Sequence, residues 1–171
     1  YRYELFDKKP FNLKYIVTEI YKIIKNITLA LQYIHQNGIL HLDIKPENIV
    51  ISNSGAKLVD FGMGCFAIPA NNKICTLPYN KIIGECCKDG GGSLLYLAPE
   101  RLRKGIRYPQ SDIWSFGATL HSVFEKNFWP GKKLKTDIEP LDSIINGMTE
   151  KNIEDRITTD EILQKLKSVG I

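Results

Sequence analysis

The sequence predicts a mainly α fold that carries one small β-hairpin. Three observations predict it. Ile20, Ile23, Ile24, Ile27, Leu31 and Ile34 recur at helical spacing, which draws one apolar stripe along a long helix. The short apolar runs Ile49-Val50-Ile51 and Lys57-Leu58-Val59 flank Asn53-Ser54-Gly55, the pattern of a hairpin in which Gly supplies the turn conformation. Thr158 followed by Glu161 reads as a capping box that opens a last helix with Ile162, Leu163 and Leu166.

The remaining elements fall between these. Residues 1–12 read as irregular, with a short helical option at Glu4-Leu5-Phe6-Asp7. Asn37-Gly38 ends the first long helix, as Gly does at helix C-termini. Ile39 to Pro46 is turn-rich and cannot be regular helix, because Pro46 lacks a backbone donor. From Gly62 to about Gly92 the chain reads as one long loop, a length that points to function or mobility. Ser111 or Asp112 is placed to cap a helix with Trp114, Gly117, Leu120 and Phe124 on one face. Leu141, Ile144, Ile145 and Met148 mark a further helix.

At 171 residues the chain suits one domain with a genuine core. Its 43% hydrophobic and 25% charged content is that of an ordinary globular protein. A net charge of +4 suits an anionic ligand such as a nucleotide phosphate. It is no nucleic-acid footprint, because only Lys132, Lys133 and Lys135 cluster, and that cluster reads as a solvated loop. No apolar run is long enough to span a bilayer and no signal peptide opens the chain, so no membrane partner is expected, and the setting reads as cytoplasmic or nuclear. The first residue is Tyr1 rather than Met, which reads as a piece of something longer or processed. Cys65, Cys75, Cys86 and Cys87 lack paired C-x-x-C zinc spacing and read as free thiols in a reducing cytosol, with a redox or metal role for the one segment that holds them as the alternative.

The chemistry-bearing residues converge. Asp43, Lys45 and Asn48 share one tight loop, and Asp60 lies just past the second hairpin strand. The hairpin would return Asp60 to Asn48. Two carboxylates, an amide oxygen and a cation would then meet, a donor set that suits Mg²⁺ and a transferring phosphoryl group.

His41-Leu42-Asp43-Ile44-Lys45-Pro46-Glu47-Asn48 resembles the protein-kinase catalytic loop, H-R-D-L-K-P-E-N. Asp60-Phe61-Gly62 matches D-F-G, and Ala98-Pro99-Glu100 matches A-P-E, with Gly92, Ser93 and Tyr96 fitting the residues before it. Asp112-x-Trp114-Ser115-x-Gly117 resembles the D-x-W-S-x-G helix that follows. All four occur in order, and the resemblance runs from about Glu4 to Leu166. The chain is therefore similar to the C-terminal, large lobe of a eukaryotic-type Ser/Thr protein kinase, spanning residues 1–171 with an activation segment at 60–100.

The resemblance implies roles. Asp43 would accept or orient the proton of a substrate hydroxyl, and Lys45 would steady the γ-phosphoryl of ATP. Asn48 and Asp60 would hold Mg²⁺ (or Mn²⁺), and Val50 would lie in the floor beneath the adenine. His41 would stack on Phe61 and be tied to Asp112, with Gly62 completing D-F-G. His35 and His121 read as ordinary core or surface histidines. Glu100 and Arg156 would form a buried pair, so that Arg156→Ala mainly destabilises the fold. Lys45 followed by Pro-Glu-Asn is the Ser/Thr form of the loop.

Four departures stand out. No Gly-rich phosphate loop and no V-A-I-K lysine occur, so the N-terminal lobe would lie upstream of Tyr1 and the isolated chain is expected to be very weak or inactive. Leu42 stands where many kinases have an Arg that binds a phosphorylated segment residue, which implies that this phosphate switch is not used. The segment from Asp60 to Glu100 is long, holds every cysteine, and has a flexible tip at Gly90-Gly91-Gly92. Lys126 to Pro140 is short, so a docking helix usual there is reduced. Two readings follow: the large lobe of a Ser/Thr protein kinase, or a kinase-like interaction module or pseudokinase without turnover.

Overall fold

A computed structural model describes residues 13–66, 93–104, 107–125 and 132–171. Its element order is α1 (Leu13–Gln36), β1 (Ile39–Leu40), β2 (Ile49–Ser52), β3 (Gly55–Leu58), β4 (Cys65–Phe66), α2 (Pro99–Lys104), α3 (Pro109–Phe124), α4 (Leu141–Met148) and α5 (Thr159–Lys167). Short 3-10 turns lie at Pro46–Asn48 and Leu94–Tyr96. The mainly α reading with one hairpin therefore holds. The expected turn at Glu4 to Asp7 and the Gly90-Gly91-Gly92 tip lie outside the described residues.

The apolar stripe of α1 is what founds the core. Ile24, Ile27, Leu31 and Ile34 are buried, together with Tyr21. They meet Ile113, Phe116 and Leu120 of α3, Leu141, Ile144, Ile145 and Met148 of α4, and Ile162 and Leu166 of α5. α1 stops where the periodicity stops: Asn37 and Gly38 close it with bonds to the carbonyls of Tyr33, Ile34 and His35, and Gly38 takes a φ of 70°. α5 opens with the expected box, Thr158 Oγ1 accepting from Glu161 N and Thr158 N donating to the Glu161 carboxylate.

β2 and β3 form an antiparallel hairpin with Ser52 opposite Gly55, a two-residue turn at Asn53 and Ser54. α1 packs against β3, which fixes the hairpin to the core. A second, two-residue pairing was not foreseen: β1 meets β4, with Leu40 opposite Cys65. The side chains of Leu40, Leu42 and Cys65 form a small buried cluster there. Cys65 is disulfide-bonded, which corrects the free-thiol reading for this residue. The other three cysteines lie outside the described residues. The spacing test applied to the sequence addressed zinc, whereas four cysteines between positions 65 and 87 are close enough along the chain for bridges.

α3 also differs from the expected helix. It starts at Pro109, where a missing N–H costs nothing, so the N-cap is Tyr108 and Ser111 and Asp112 lie inside the first turn. Ser111 still serves the cap from the N3 position, its Oγ accepting from the N-cap Tyr108 N at 3.1 Å. Nor is α3 one-faced: Gln110 to His121 are all buried. Trp114 packs with Tyr96, Ala98 and Ala118, whereas Phe116 and Leu120 face the main core. A helix buried all round is the central strut of its domain.

The lysine cluster is exposed, as read, with Lys132 on Glu125 and Lys133 on Glu150. Residues 132–140 contain no helix. Among the described residues, no helix is long and apolar enough to cross a membrane.

Gly117 allows α3 to touch α4. A Cβ there would sit 2.5 Å from Met148 Cβ and 3.0 Å from Thr149 Cγ2. Gly117→Ala would gain about 1 kcal/mol of helix propensity but must push α4 away. We expect a net loss of about 1–3 kcal/mol, read as a lowered urea midpoint at unchanged slope.

Candidate active site

The site is built by the loop between β1 and β2 and by the residues just after β3. One side chain organises the loop from below. Asp112, fully buried, accepts from His41 N at 2.9 Å, from Leu42 N at 2.8 Å and from His35 Nε2 at 2.9 Å. Burial opposes ionisation of this carboxyl. The His35 hydrogen bond and charge, with the two backbone donors, outweigh it and hold the carboxyl below the usual carboxylate range. Asp112 thus binds the His41 backbone, not its ring, which refines the expected tie. His35, read as a plain core histidine, is the partner of this buried carboxylate.

The His41 ring has its own partners. Asp43 N donates to Nδ1 at 3.3 Å, so the ring proton sits on Nε2, which donates to Val59 O at 3.1 Å. The ring lies 4.6 Å from that of Phe61, tilted by 55°, within the range of favourable aromatic pairs. His41 therefore links the loop before β2 to the residues after β3.

Asp43 is nearly buried. Its Oδ2 accepts from Lys45 Nζ at 2.6 Å and from Asn48 Nδ2 at 3.1 Å. Asn48 Nδ2 also donates to Asp43 O at 2.8 Å. Both amide hydrogens of Asn48 are thus engaged, and its oxygen is the atom left with lone pairs to offer. The Asp43 hydrogen bond, ahead of the charges of Asp43, Glu47 and Asp60, raises the Lys45 ammonium above its usual value despite some burial. Asp60 is exposed, and its Oδ1 accepts from Gly62 N at 3.1 Å. The backbone bond from Val59 N to Asn48 O, 3.0 Å long, holds the two ends of the site together.

An amide oxygen and a carboxylate at this place are hard donors, the chemistry that Mg²⁺ accepts. The implied metal therefore fits the residues present, although no group of three or more His, Cys, Asp or Glu side chains clusters as a metal site among the described residues. Val50 is exposed at 47%, on a strand whose neighbours Ile51, Val59 and Phe61 are exposed too.

Two non-glycine residues here have left-handed backbones, Leu42 with φ 65° and Asp60 with φ 63°. That region costs about 1–2 kcal/mol for most side chains. Asp60 tolerates it because its own carboxylate bonds the backbone two residues on. Leu42 has no such device. Its N–H is held by Asp112, and its carbonyl accepts from Arg101 NH1 at 2.6 Å.

Beneath the site, Arg156 and Glu100 meet twice, NH1 to Oε1 at 2.8 Å and NH2 to Oε2 at 3.1 Å. Arg156 also donates to Glu150 O and Gln110 O, and lies 5.0 Å from the Trp114 ring centroid. Ser111 Oγ donates to Glu100 as well. The pair therefore ties α2 to α3 and to the chain before α5.

The strut helix α3 thus grips, through Asp112, the loop that bears Asp43, Lys45 and Asn48, and Asp60 follows the hairpin. The sequence matches the protein kinase domain over residues 3–166, and the chain belongs to the protein kinase family. It is 31% identical to calcium-dependent protein kinase 12 of Arabidopsis thaliana, over 94% of this chain and 34% of that protein. Identity to calcium-dependent protein kinase SK5 of Glycine max is also 31%, over 94% of this chain and 34% of that protein. A shorter match, 38% identical over 55% of this chain and 9% of the relative, is to serine/threonine-protein kinase PKH2 of Saccharomyces cerevisiae. The chain thus spans about a third of the length of the first two relatives.

Burial opposes ionisation of Glu100, but Arg156 and Ser111 outweigh it and lower its pKa. The folded value lies below the unfolded one, so this stabilisation is present above the ordinary value of about 4.3 and fades as pH falls through the lowered one. We expect Arg156→Met to cost about 3–5 kcal/mol at neutral pH. In urea unfolding the gap to wild type should narrow as pH falls below about 4. An unchanged gap across that range would contradict the pairing.

Proposed function

We propose that this chain is the large lobe of a Ser/Thr protein kinase that transfers the γ-phosphate of Mg²⁺–ATP to a protein hydroxyl. One observation carries the reading: Asp43 is held by Lys45, Asn48 and the His41 ring, while its Oδ1 takes no hydrogen bond from the described residues. That oxygen is the acceptor for a substrate hydroxyl proton. As the hydroxyl oxygen bonds to the γ-phosphorus and the bond to the departing ADP breaks, the proton passes to Asp43. Lys45, seated on Asp43, presents its charge to the transferring group. Mg²⁺ bound by Asn48 and Asp60 would neutralise phosphate charge. Holding these groups in fixed places is most of what phosphoryl transfer asks of a protein.

The Lys45-Pro46-Glu47-Asn48 stretch and the naming of one relative as a serine/threonine kinase support the hydroxyl specificity. In this reading residues 60–100 are the activation segment, and ATP is covered by a smaller lobe supplied from upstream of Tyr1. The exposed Val50 lies beneath the adenine. Leu42 is buried with Leu40 and Cys65, so position 42 offers no cation to a phosphorylated segment residue.

The test is transfer of γ-phosphate from ATP and Mg²⁺ to a generic basic protein by the full-length protein. Asp43→Asn should lower the rate by about 10²–10⁴-fold with the fold intact. A folded wild-type protein that transfers nothing but binds partner proteins would replace this reading with a non-catalytic interaction module.

A further inference from the structure

We propose that Arg101, the residue after Ala98-Pro99-Glu100, is a positioning residue for Asp43. It acts by gripping the carbonyl of the peptide that leads into Asp43. This rests on the kinase reading of the site.

The geometry is specific. Leu42 C=O and Asp43 N–H belong to one planar peptide unit. Its oxygen accepts from Arg101 NH1 at 2.6 Å, and its N–H donates to His41 Nδ1 at 3.3 Å. The preceding N–H, that of Leu42, is taken by Asp112 at 2.8 Å. Each polar group around the Leu42 Cα is thus assigned, and the left-handed backbone there is held from outside, since leucine cannot bond to itself as Asp60 does. If the Leu42–Asp43 peptide turned over, the Asp43 side chain would swing away from Lys45 and Asn48.

Arg101 is well suited to this grip. It lies part-buried in the first turn of α2, where the charges of Asp112, Asp43 and Glu100 favour its cation and that of Arg107 opposes it. Burial lowers its pKa, yet a guanidinium remains charged at any physiological pH. Its helix is anchored by the neighbouring Glu100, paired with the buried Arg156. The consequence is a direct link between the end of the 60–100 segment and the catalytic loop. At position 42 itself the side chain is apolar and buried, so the guanidinium reaches this loop from α2 instead.

The test compares Arg101→Met, Arg101→Lys and, as a control on the exposed face of the same helix, Arg103→Met, all in the full-length protein. Arg101→Met should lower kcat about 10–100-fold, the loss of one charge-assisted hydrogen bond, with KM for ATP changed less than about 3-fold. Amide exchange should quicken at Leu42 and Asp43, not in the hairpin. Arg101→Lys should recover most of the rate, and Arg103→Met should match wild type. Unchanged kcat and exchange in Arg101→Met, or a loss matched by a general fall in Tm and protection, would overturn the proposal. A wild-type protein without transfer activity would defeat the kinase reading alone. The exchange of Leu42 and Asp43 would then still decide the positioning role, faster in Arg101→Met if it holds and unaltered if it does not.

Discussion

The buried carboxylate of Asp112 is the interaction on which the rest of the site depends. A charge removed from water is costly unless it is fully hydrogen-bonded. Here it is met by one histidine and two backbone donors. That requirement runs both ways. The loop from His41 to Asp43 has no regular structure to satisfy its N–H groups; Asp112 takes those of His41 and Leu42, and the His41 ring takes that of Asp43. The loop is thereby tied to the helix that holds it.

This is why α3 is buried on every side. It must be rigid to serve as an anchor, so it packs against the main core through Phe116 and Leu120 and against Tyr96 and Ala98 through Trp114. The Arg156–Glu100 pair then fastens α2 to its N-terminal end. α2 in turn carries Arg101 back to the loop. From Asp112 to Arg101 the links form a closed circuit around the peptide that bears Asp43. Electrostatic catalysis benefits from such preorganisation, because the groups need not move when charge shifts in the reaction.

Much of this was legible in the sequence. The stripe of α1, the hairpin turn and the Thr158 capping box are local signals, fixed by periodicity and turn chemistry, and each lies where the residues put it. The four motifs placed Asp43, Lys45, Asn48 and Asp60 together, because a hairpin of known length brings its ends together. What could not be read was long-range and specific. His35 lies on α1, 77 positions from Asp112, and no local pattern announces a partner at that distance. Arg101 looked like an ordinary helix residue, and its contact depends on how α2 is seated. The β1–β4 pairing is two residues long, below what periodicity detects. The start of α3 was misplaced because Ser and Asp are good caps, whereas Asp112 is used for a tertiary bond instead.

The most direct measurement is amide hydrogen exchange at His41 and Leu42 in Asp112→Asn against wild type. The asparagine keeps the shape but replaces one acceptor oxygen with a donor. If Asp112 holds the loop, exchange at these two amides should quicken by at least about 10-fold, equivalent to about 1.4 kcal/mol of lost local stability, while Lys57, opposite Val50 in the hairpin, keeps its protection. Equal protection of His41 and Leu42 in both proteins would show that the loop keeps its shape without this carboxylate, and the central role given to Asp112 would be wrong.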